Sequence, residues 1–365
     1  MSAKCRSCLL PAAVPGANLD AATICAHCRG DAERGSSLVT IDRDRRIADL
    51  RRALRDCRGA GEYDCIVMLS GGKDSCYLLH RIVRDEGLNP LAFTVNVNLP
   101  EVAWRNIHRT VEQLGVHHLV YTPPREVYRK LFRFLLQNQE SRGAVRTVCY
   151  VCAPLTEGYA LKLAVEKGIP LILAGYSPGQ PEPERMEYEF SRAMISDEDW
   201  TPPEVRESGL FSEAELSLFW NPHRYPAGTA FPRYLAPFHA WDYDQEQVMK
   251  SVVELGLVRN RRSANPIYTN CPVNWLLMYS DLKNLGYNPY APEFAALIRE
   301  GKARRWYWKL MGPVVDFMIR RRVLMGRNVT TSMEWLGLGA DELRITREAS
   351  TETEHRDKQL HAARV

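Results

Sequence analysis

The stretch Tyr63-Asp-Cys-Ile-Val-Met-Leu-Ser-Gly-Gly-Lys-Asp-Ser75 reads as a strand, a turn and the start of a helix. Its first seven residues form a short apolar run suited to a buried strand, and from Asp74 onward the apolar spacing is helical. The turn Ser70-Gly-Gly-Lys-Asp-Ser75 lies at the junction. Gly71 and Gly72 let the backbone approach an anion without a Cβ in the way. The N–H groups that open the helix then point at that anion, aided by the helix dipole. Ser70 and Ser75 offer hydroxyls, and Lys73 adds charge. Asp74 would repel phosphate unless a magnesium ion lay between them, so it is expected to coordinate Mg2+. The spacing differs from the Walker A loop, which is longer and ends in Lys-Ser/Thr, and from the dinucleotide fingerprint GxGxxG.

Outward from this turn, apolar strands alternate with amphipathic helices. Strands are expected at Asp64–Leu69, Leu91–Val97, His118–Thr122, Pro170–Ala174 and near Tyr234–Pro237. The helices between and after them are Ser75–Glu86, Trp104–Leu114, Arg125–Asn138, Leu155–Lys167 and Asp244–Leu255. This alternation predicts an α/β fold with a doubly wound parallel sheet, covering about residues 60–260. Gly175 follows the fourth strand at the carboxyl edge, where open α/β sheets bind ligands. Residues 261–346 read as a helical region and 347–365 as a polar, disordered tail.

At the other end, Cys5-Arg-Ser-Cys8 and Cys25-Ala-His-Cys28 form two knuckles within residues 1–35. Four thiolates on two tight turns make a tetrahedral soft-ligand site suited to structural Zn2+. So short a unit would take most of its stability from the metal. The chain has ten cysteines. CxxC pairs of this kind point to a reducing compartment, and the cytoplasm is the expected location. Met1-Ser-Ala-Lys4 leads straight into the first pair, a poor start for a signal peptide. No apolar run approaches the roughly 20 residues that span a bilayer. The formal charge of +4 over 365 residues suits an anionic ligand; it does not argue for nucleic acid and leaves that partner open. A homodimer is left open as well.

A second cysteine set is Cys149-Tyr-Val-Cys152, expected just ahead of a helix, with Cys271 far downstream. Three readings stand side by side. A helix N-terminus would make the pair an acidic redox dithiol. Three thiolates could hold a [4Fe-4S] cluster with one open iron. Or the pair is structural and Cys271 merely buried.

The Ser70–Ser75 turn resembles the PP-loop of the N-type ATP pyrophosphatases. That resemblance implies cleavage of ATP between the α and β phosphates, with a substrate oxygen adenylated. It also implies adenosine beside the second strand, where Thr94 and Asn96 are candidate contacts. Within the superfamily the chain is most similar to the N-acetyl sugar amidotransferases. The residues that carry this are the ribbon, Tyr63 through Ala92, Val148–Cys152, Lys167–Gly175, Trp241-Asp242, Asn270-Cys271, Tyr279 and Leu285-Gly-Tyr287. The resemblance implies an acceptor that is a nucleotide- or lipid-linked acetamido sugar, and ammonia from a separate glutaminase-type partner. The rival is an ATP-dependent sulfurtransferase acting on a small molecule or a tRNA base, with a sulfur donor. Against tRNA, Ala174-Gly-Tyr-Ser-Pro-Gly-Gln180 lacks the His and Asp pair that thiolation enzymes usually carry after the fourth strand. The segment from Pro178 to about Phe231 departs from the sugar amidotransferases, and its Glu182, Glu184, Glu187 and Glu189 are candidates for orienting ammonia or binding magnesium. A nucleotide sensor would have no need of Asp74 to place a metal.

Beyond the α/β region, Arg304-Arg-Trp-Tyr-Trp-Lys309 and Arg320-Arg-Arg322 flank the apolar run Val314–Ile319. A docking helix with apolar residues on the core and arginines in water is the favoured reading; a membrane-surface helix or a nucleic-acid contact are the others.

Overall fold

A computed structural model describes residues 3–30, 37–178 and 188–348. Its centre is a sheet of five parallel strands: β1 (Cys65–Met68), β2 (Pro90–Val95), β3 (His118–Tyr121), β4 (Leu171–Leu173) and β5 (Arg233–Leu235). Their order is β3-β2-β1-β4-β5. β1 therefore has β2 on one side, in register Cys65 to Pro90, and β4 on the other, in register Ile66 to Ile172. Because the chain leaves β1 in one direction and returns at β4 in the other, a crevice opens at the carboxyl ends of these two strands. The Ser70–Ser75 turn leaves β1 there, and Gly175 follows β4. All five expected strands are present, within two residues at either end. Each is short and apolar because helices cover both faces of the sheet.

The covering helices are α1 (Ser37–Asp56), α2 (Lys73–Arg84), α3 (Glu101–Leu114), α4 (Arg125–Gln137), α5 (Ala144–Lys167) and α6 (Gln245–Glu254). Leu78, Leu79 and Ile82 of α2 pack with Val67 and Leu173 on one face. Leu131 and Leu135 of α4 pack with Leu155 and Leu161 of α5 and with Ile66 on the other. Asp244 caps α6, accepting from the Gln247 N–H at 2.7 Å.

Helix α5 corrects the expectation for its own start. It begins at Ala144, not near Leu155, so Cys149 and Cys152 lie in its second and third turns rather than ahead of an N-terminus. The helix dipole acts on the first turn, so the argument for an acidic redox dithiol fails. Pro154 hides the longer helix, because an interior proline forfeits one backbone hydrogen bond and usually marks a helix start. Here the true start is fixed by Asp281, whose carboxylate accepts from the Ala144 and Val145 N–H groups. By length and composition α5 could cross a membrane. It is the core helix instead: Leu155, Ala160, Leu161 and Ala164 are buried, and Glu157 accepts from the Tyr176 hydroxyl at 2.6 Å.

The helices beyond residue 260 share this core. Trp275, Leu276 and Leu282 of α7 (Val273–Asn284) join the cluster around α4 and α5, as do Val329, Met333 and Leu336 of α10 (Arg327–Leu336). Between them run α8 (Ala291–Arg299) and α9 (Arg305–Arg321). Ile345–Arg347 pairs in parallel with Gln139–Glu140, and Arg347 bonds Glu204 at 2.7 Å. Arg347, with which the expected tail opens, thus lies in a strand, and residues 349–365 lie outside the described residues. Residues 188–231 form a packed annex in which Trp220 is fully buried against Gly158 of α5.

Helix α9 overturns its favoured reading. Only Ile319 is buried, while Trp306, Leu310, Val314 and Phe317 face outward. The helix is held from its other side: Trp308 stacks on Phe294 at 3.7 Å between ring centroids, and Arg305 donates to the carbonyls of Ser7 and Arg6.

Candidate active site

The turn takes its shape from close packing. Gly71 adopts φ +77°, and a Cβ there would overlap the Ala103 carbonyl of α3. Asn106 of α3 holds the turn from below, donating from one amide nitrogen to Gly71 O and Ser263 O, both at 2.9 Å. The two serine hydroxyls meet at 3.2 Å, and Ser75 Oγ also donates to Gly72 O at 3.0 Å. Gly72 caps α2 without a side chain of its own, so the first N–H groups of α2 stay directed outward. On the neighbouring strand end, Gly175 is pressed against the same helix start: a Cβ would stand 2.9 Å from Ser75 N.

Lys73 is almost fully buried. Its Nζ lies 2.6 Å from Asp74 Oδ2 and donates to the Tyr243 hydroxyl at 3.0 Å; that hydroxyl in turn donates to Asp74 Oδ1 at 2.8 Å. Burial raises the Tyr243 phenol, and the Asp74 charge raises it further, so it remains a proton donor.

These groups form one wall of a cavity of about 680 Å³, within the usual size of small-molecule sites. Phe93, Val95 and Val97 make a second wall. Strand alternation sends the residues between them the other way. Thr94 donates to Leu69 O at 2.6 Å and meets His118 Nε2 at 2.8 Å, and Asn96 reaches Thr122. Neither side chain is brought to the cavity; Thr94 braces the strand that carries the turn. The third wall is one face of α5, with Val145, Arg146, Cys149 and Ala153 at helical spacing, and Arg142 just ahead of the helix. Tyr290, Glu293 and Lys302 close the cavity from the helical region. Burial pushes the Glu293 carboxyl up to about 7, with Lys73 pulling it down.

Cys149 therefore lines the site. Cys152 packs into the core near Tyr128 and Tyr159. Cys271 packs against the same core, and burial pushes its thiol up, while its neighbours Thr269 and Asn270 line the cavity. Of the candidate glutamates, Glu189 is committed to Arg233 at 2.7 Å, which also binds Asp49; Glu182, Glu184 and Glu187 lie outside the described residues.

The turn sits on a five-stranded parallel sheet at its switch point, and its sequence spacing is that of the ATP pyrophosphatase loop. A tRNA-cytidine(32) 2-sulfurtransferase of Anaeromyxobacter sp. (strain Fw109-5) is 33% identical over 131 residues, 34% of this chain and 40% of that protein. In this turn and its place on the sheet the chain resembles the PP-loop ATP pyrophosphatases. It spans about 40% of the length of that curated relative. No family model matches the chain. Among solved structures, the U34-tRNA thiolase NcsA from Methanococcus maripaludis, described with its [4Fe-4S] cluster, aligns over 92% of this chain and 89% of its own at 14% identity and TM-score 0.34. The NH3-dependent NAD synthetase from Campylobacter jejuni aligns over 86% and 99% at 9% identity and TM-score 0.35. Likeness at that level carries no functional weight.

Apart from this turn, the chain has a separate four-cysteine unit. The thiols of Cys5, Cys8, Cys25 and Cys28 lie within 4.8 Å of one another, and they are the metal-ligating group of this kind among the described residues. The Cys5–Cys28 and Cys8–Cys25 sulfurs are 3.8 and 3.6 Å apart. Four thiolates held about 2.3 Å from one zinc ion stand about 3.8 Å apart, so the donor set fits a tetrahedral metal. All ten cysteines are free of disulfides. Ala295 and Ile298 of α8 close the small core of this ribbon.

Three site residues escape a reading of the sequence: Asn106, Tyr243 and Glu293. Tyr243 leaves the only signal, standing in Trp241-Asp-Tyr-Asp244 just past the last strand.

Proposed function

We propose that the chain is an AMP- and pyrophosphate-forming ligase that adenylates the carbonyl oxygen of a nucleotide- or lipid-linked acetamido sugar for displacement by ammonia. One observation carries the reading: the phosphate-binding turn and the face of α5 line a single cavity, so ATP and an acceptor can meet in it. The acceptor oxygen attacks the α-phosphorus and pyrophosphate leaves. Ammonia then adds to the activated carbon and AMP leaves, giving an amidine.

Lys73 and the opening N–H groups of α2 hold the phosphates. Asp74 would hold Mg2+, which supplies charge neutralisation for the departing pyrophosphate. Glu293 can take the proton that ammonia sheds, because a carboxyl poised near 7 both accepts and releases one at neutral pH. Arg146 on the α5 wall suits an acceptor bearing phosphate, while Arg142 is paired with Glu140 at 2.7 Å. The ribbon thiols would hold structural Zn2+, and a separate glutaminase would supply ammonia. Ten cysteines with no disulfide among them suit the reducing cytoplasm.

The second reading is ATP-dependent sulfur transfer to a small molecule or tRNA base. Cys149 on the cavity wall favours it, as does the sequence match to a tRNA sulfurtransferase; Cys149 would then carry the sulfur, whereas Cys152 and Cys271 pack in the core and do not join it as a three-thiol cluster site.

The test incubates the chain with ATP, magnesium, ammonium and acetamido-sugar nucleotides, and in parallel with sulfide and tRNA. Mass spectrometry distinguishes oxygen replaced by NH from oxygen replaced by sulfur. AMP formation with NH incorporation supports the first reading. Sulfur incorporation alone replaces it with the second.

A further inference from the structure

Trp306, Leu310, Val314 and Phe317 recur at steps of four, four and three along α9, which sets them on one face. They are 63%, 62%, 42% and 57% exposed. Leu324, just past the helix end, is 72% exposed. Large apolar side chains left contiguous in water mark a surface that something covers. The helix that carries them is not loose. Its inner side is stacked on Phe294, bonded to the ribbon through Arg305, and bonded to Leu282 O through Arg320 at 3.1 Å.

Charge decides what covers the face. Lys309 and Arg321 are both exposed, Arg321 within the arc of the stripe and Lys309 at its flank, with Arg304 at the helix entrance. The one carboxylate of α9, Asp316, is half-buried and accepts from Asn288. A second copy of this chain would bring its own cations against these with no acidic residue of α9 to meet them. An anionic lipid surface answers both features at once: headgroup phosphates pair with the cations, and the boundary with the acyl chains takes up the aromatic and aliphatic side chains.

We propose that α9 is an in-plane membrane anchor that lies on an anionic bilayer with Trp306, Leu310, Val314 and Phe317 buried below the headgroups. Its entrance adjoins the active site, since Lys302 on the cavity wall is four residues before Trp306. A lipid-linked acceptor would then reach the cavity without leaving the surface. The docking itself does not depend on the reaction proposed above, and its test uses no turnover.

The experiment is flotation of the full chain with vesicles of phosphatidylcholine alone and of phosphatidylcholine mixed with phosphatidylglycerol. The chain should float with the anionic vesicles at least about tenfold better than with the neutral ones, and high salt should weaken that binding. The Trp306→Ser/Phe317→Ser variant should lose at least about tenfold of it. Lys309→Glu/Arg321→Glu should lose anionic binding with the apolar stripe intact. Unchanged melting temperatures establish that both variants are folded. Failure of the wild-type chain to float, or equal flotation of the variants, overturns the proposal. So does a wild-type dimer in light scattering that Trp306→Ser/Phe317→Ser makes monomeric, because the covering partner is then a second copy.

Discussion

Tyr243 donates its phenol proton to Asp74 Oδ1 at 2.8 Å across 169 positions of sequence. The Tyr243 phenol oxygen in turn accepts from Lys73 Nζ at 3.0 Å, so one hydroxyl sets the aim of both charged side chains of the turn. Its ring is held against Phe238 at 5.3 Å between centroids, which leaves the hydroxyl little freedom.

Tyr243→Phe keeps that packing and removes the two hydrogen bonds. A hydrogen bond to a charged group contributes about 1.5–3 kcal/mol, so pyrophosphate release should fall about 10- to 100-fold with the fold retained. Asp74→Asn should cost more, at least about 100-fold, because it removes the charge expected to hold magnesium. A pyrophosphate-release assay with melting curves measures both. Undiminished release by Asp74→Asn would sink its metal role.

Gly175→Ala tests the packing of the strand end on the helix start. The added methyl would stand 2.9 Å from Ser75 N and 3.1 Å from the Asp74 carbonyl carbon. Overpacking of this kind costs about 1–3 kcal/mol, and here the strain falls on the phosphate-facing N–H groups. Calorimetry should show weaker ATP binding together with a lower melting temperature. Normal affinity would mean that the turn absorbs the methyl elsewhere.

Replacing Cys5 and Cys8 by Ser should strip the metal from the ribbon and loosen α8 and α9, since Arg299 reaches Cys8 Sγ at 3.6 Å and Arg305 bonds the Ser7 carbonyl at 3.0 Å. Metal analysis should show one zinc lost per chain, and limited proteolysis should open the segment between α8 and α9. Retained zinc with an unchanged melting temperature would contradict the ribbon.

Glu293→Gln should change stability in a pH-dependent way. Burial moves this carboxyl from 4.5 to about 7. Across that window the folded chain binds the proton more tightly than the unfolded chain. The stabilisation is complete at low pH and is lost as pH rises through 7. Gln cannot ionise, so the variant should gain up to about 3 kcal/mol at pH 8 and much less at pH 5. Urea unfolding at the two pH values measures this. An equal change at both would show that Glu293 does not titrate there.

The local devices of the fold are written in short stretches and were legible there. The turn, its strand and its helix occupy Tyr63–Arg84, and both knuckles of the ribbon are four residues long. The inner strands β2 and β4 announce themselves too, because full burial on both faces demands near-continuous apolar runs. Pro154 misleads because its cost to α5 is offset by Asp281, a cap that lies 137 positions away. Thr94 and Asn96 mislead because a residue's identity does not reveal which face of its strand meets the ligand. The outward turn of Trp306 and Phe317 depends on which side of α9 the ribbon and α7 have already taken.

The sequence alone determined that this chain carries a PP-loop and a four-cysteine metal unit, since each is a set of donors within one or two turns of backbone. Tertiary structure decided which groups share the cavity. Tyr243, Cys149 and Glu293 come from three distant segments, and only the packing of α5 and the later helices over the carboxyl edge of the sheet puts them opposite Lys73 and Asp74.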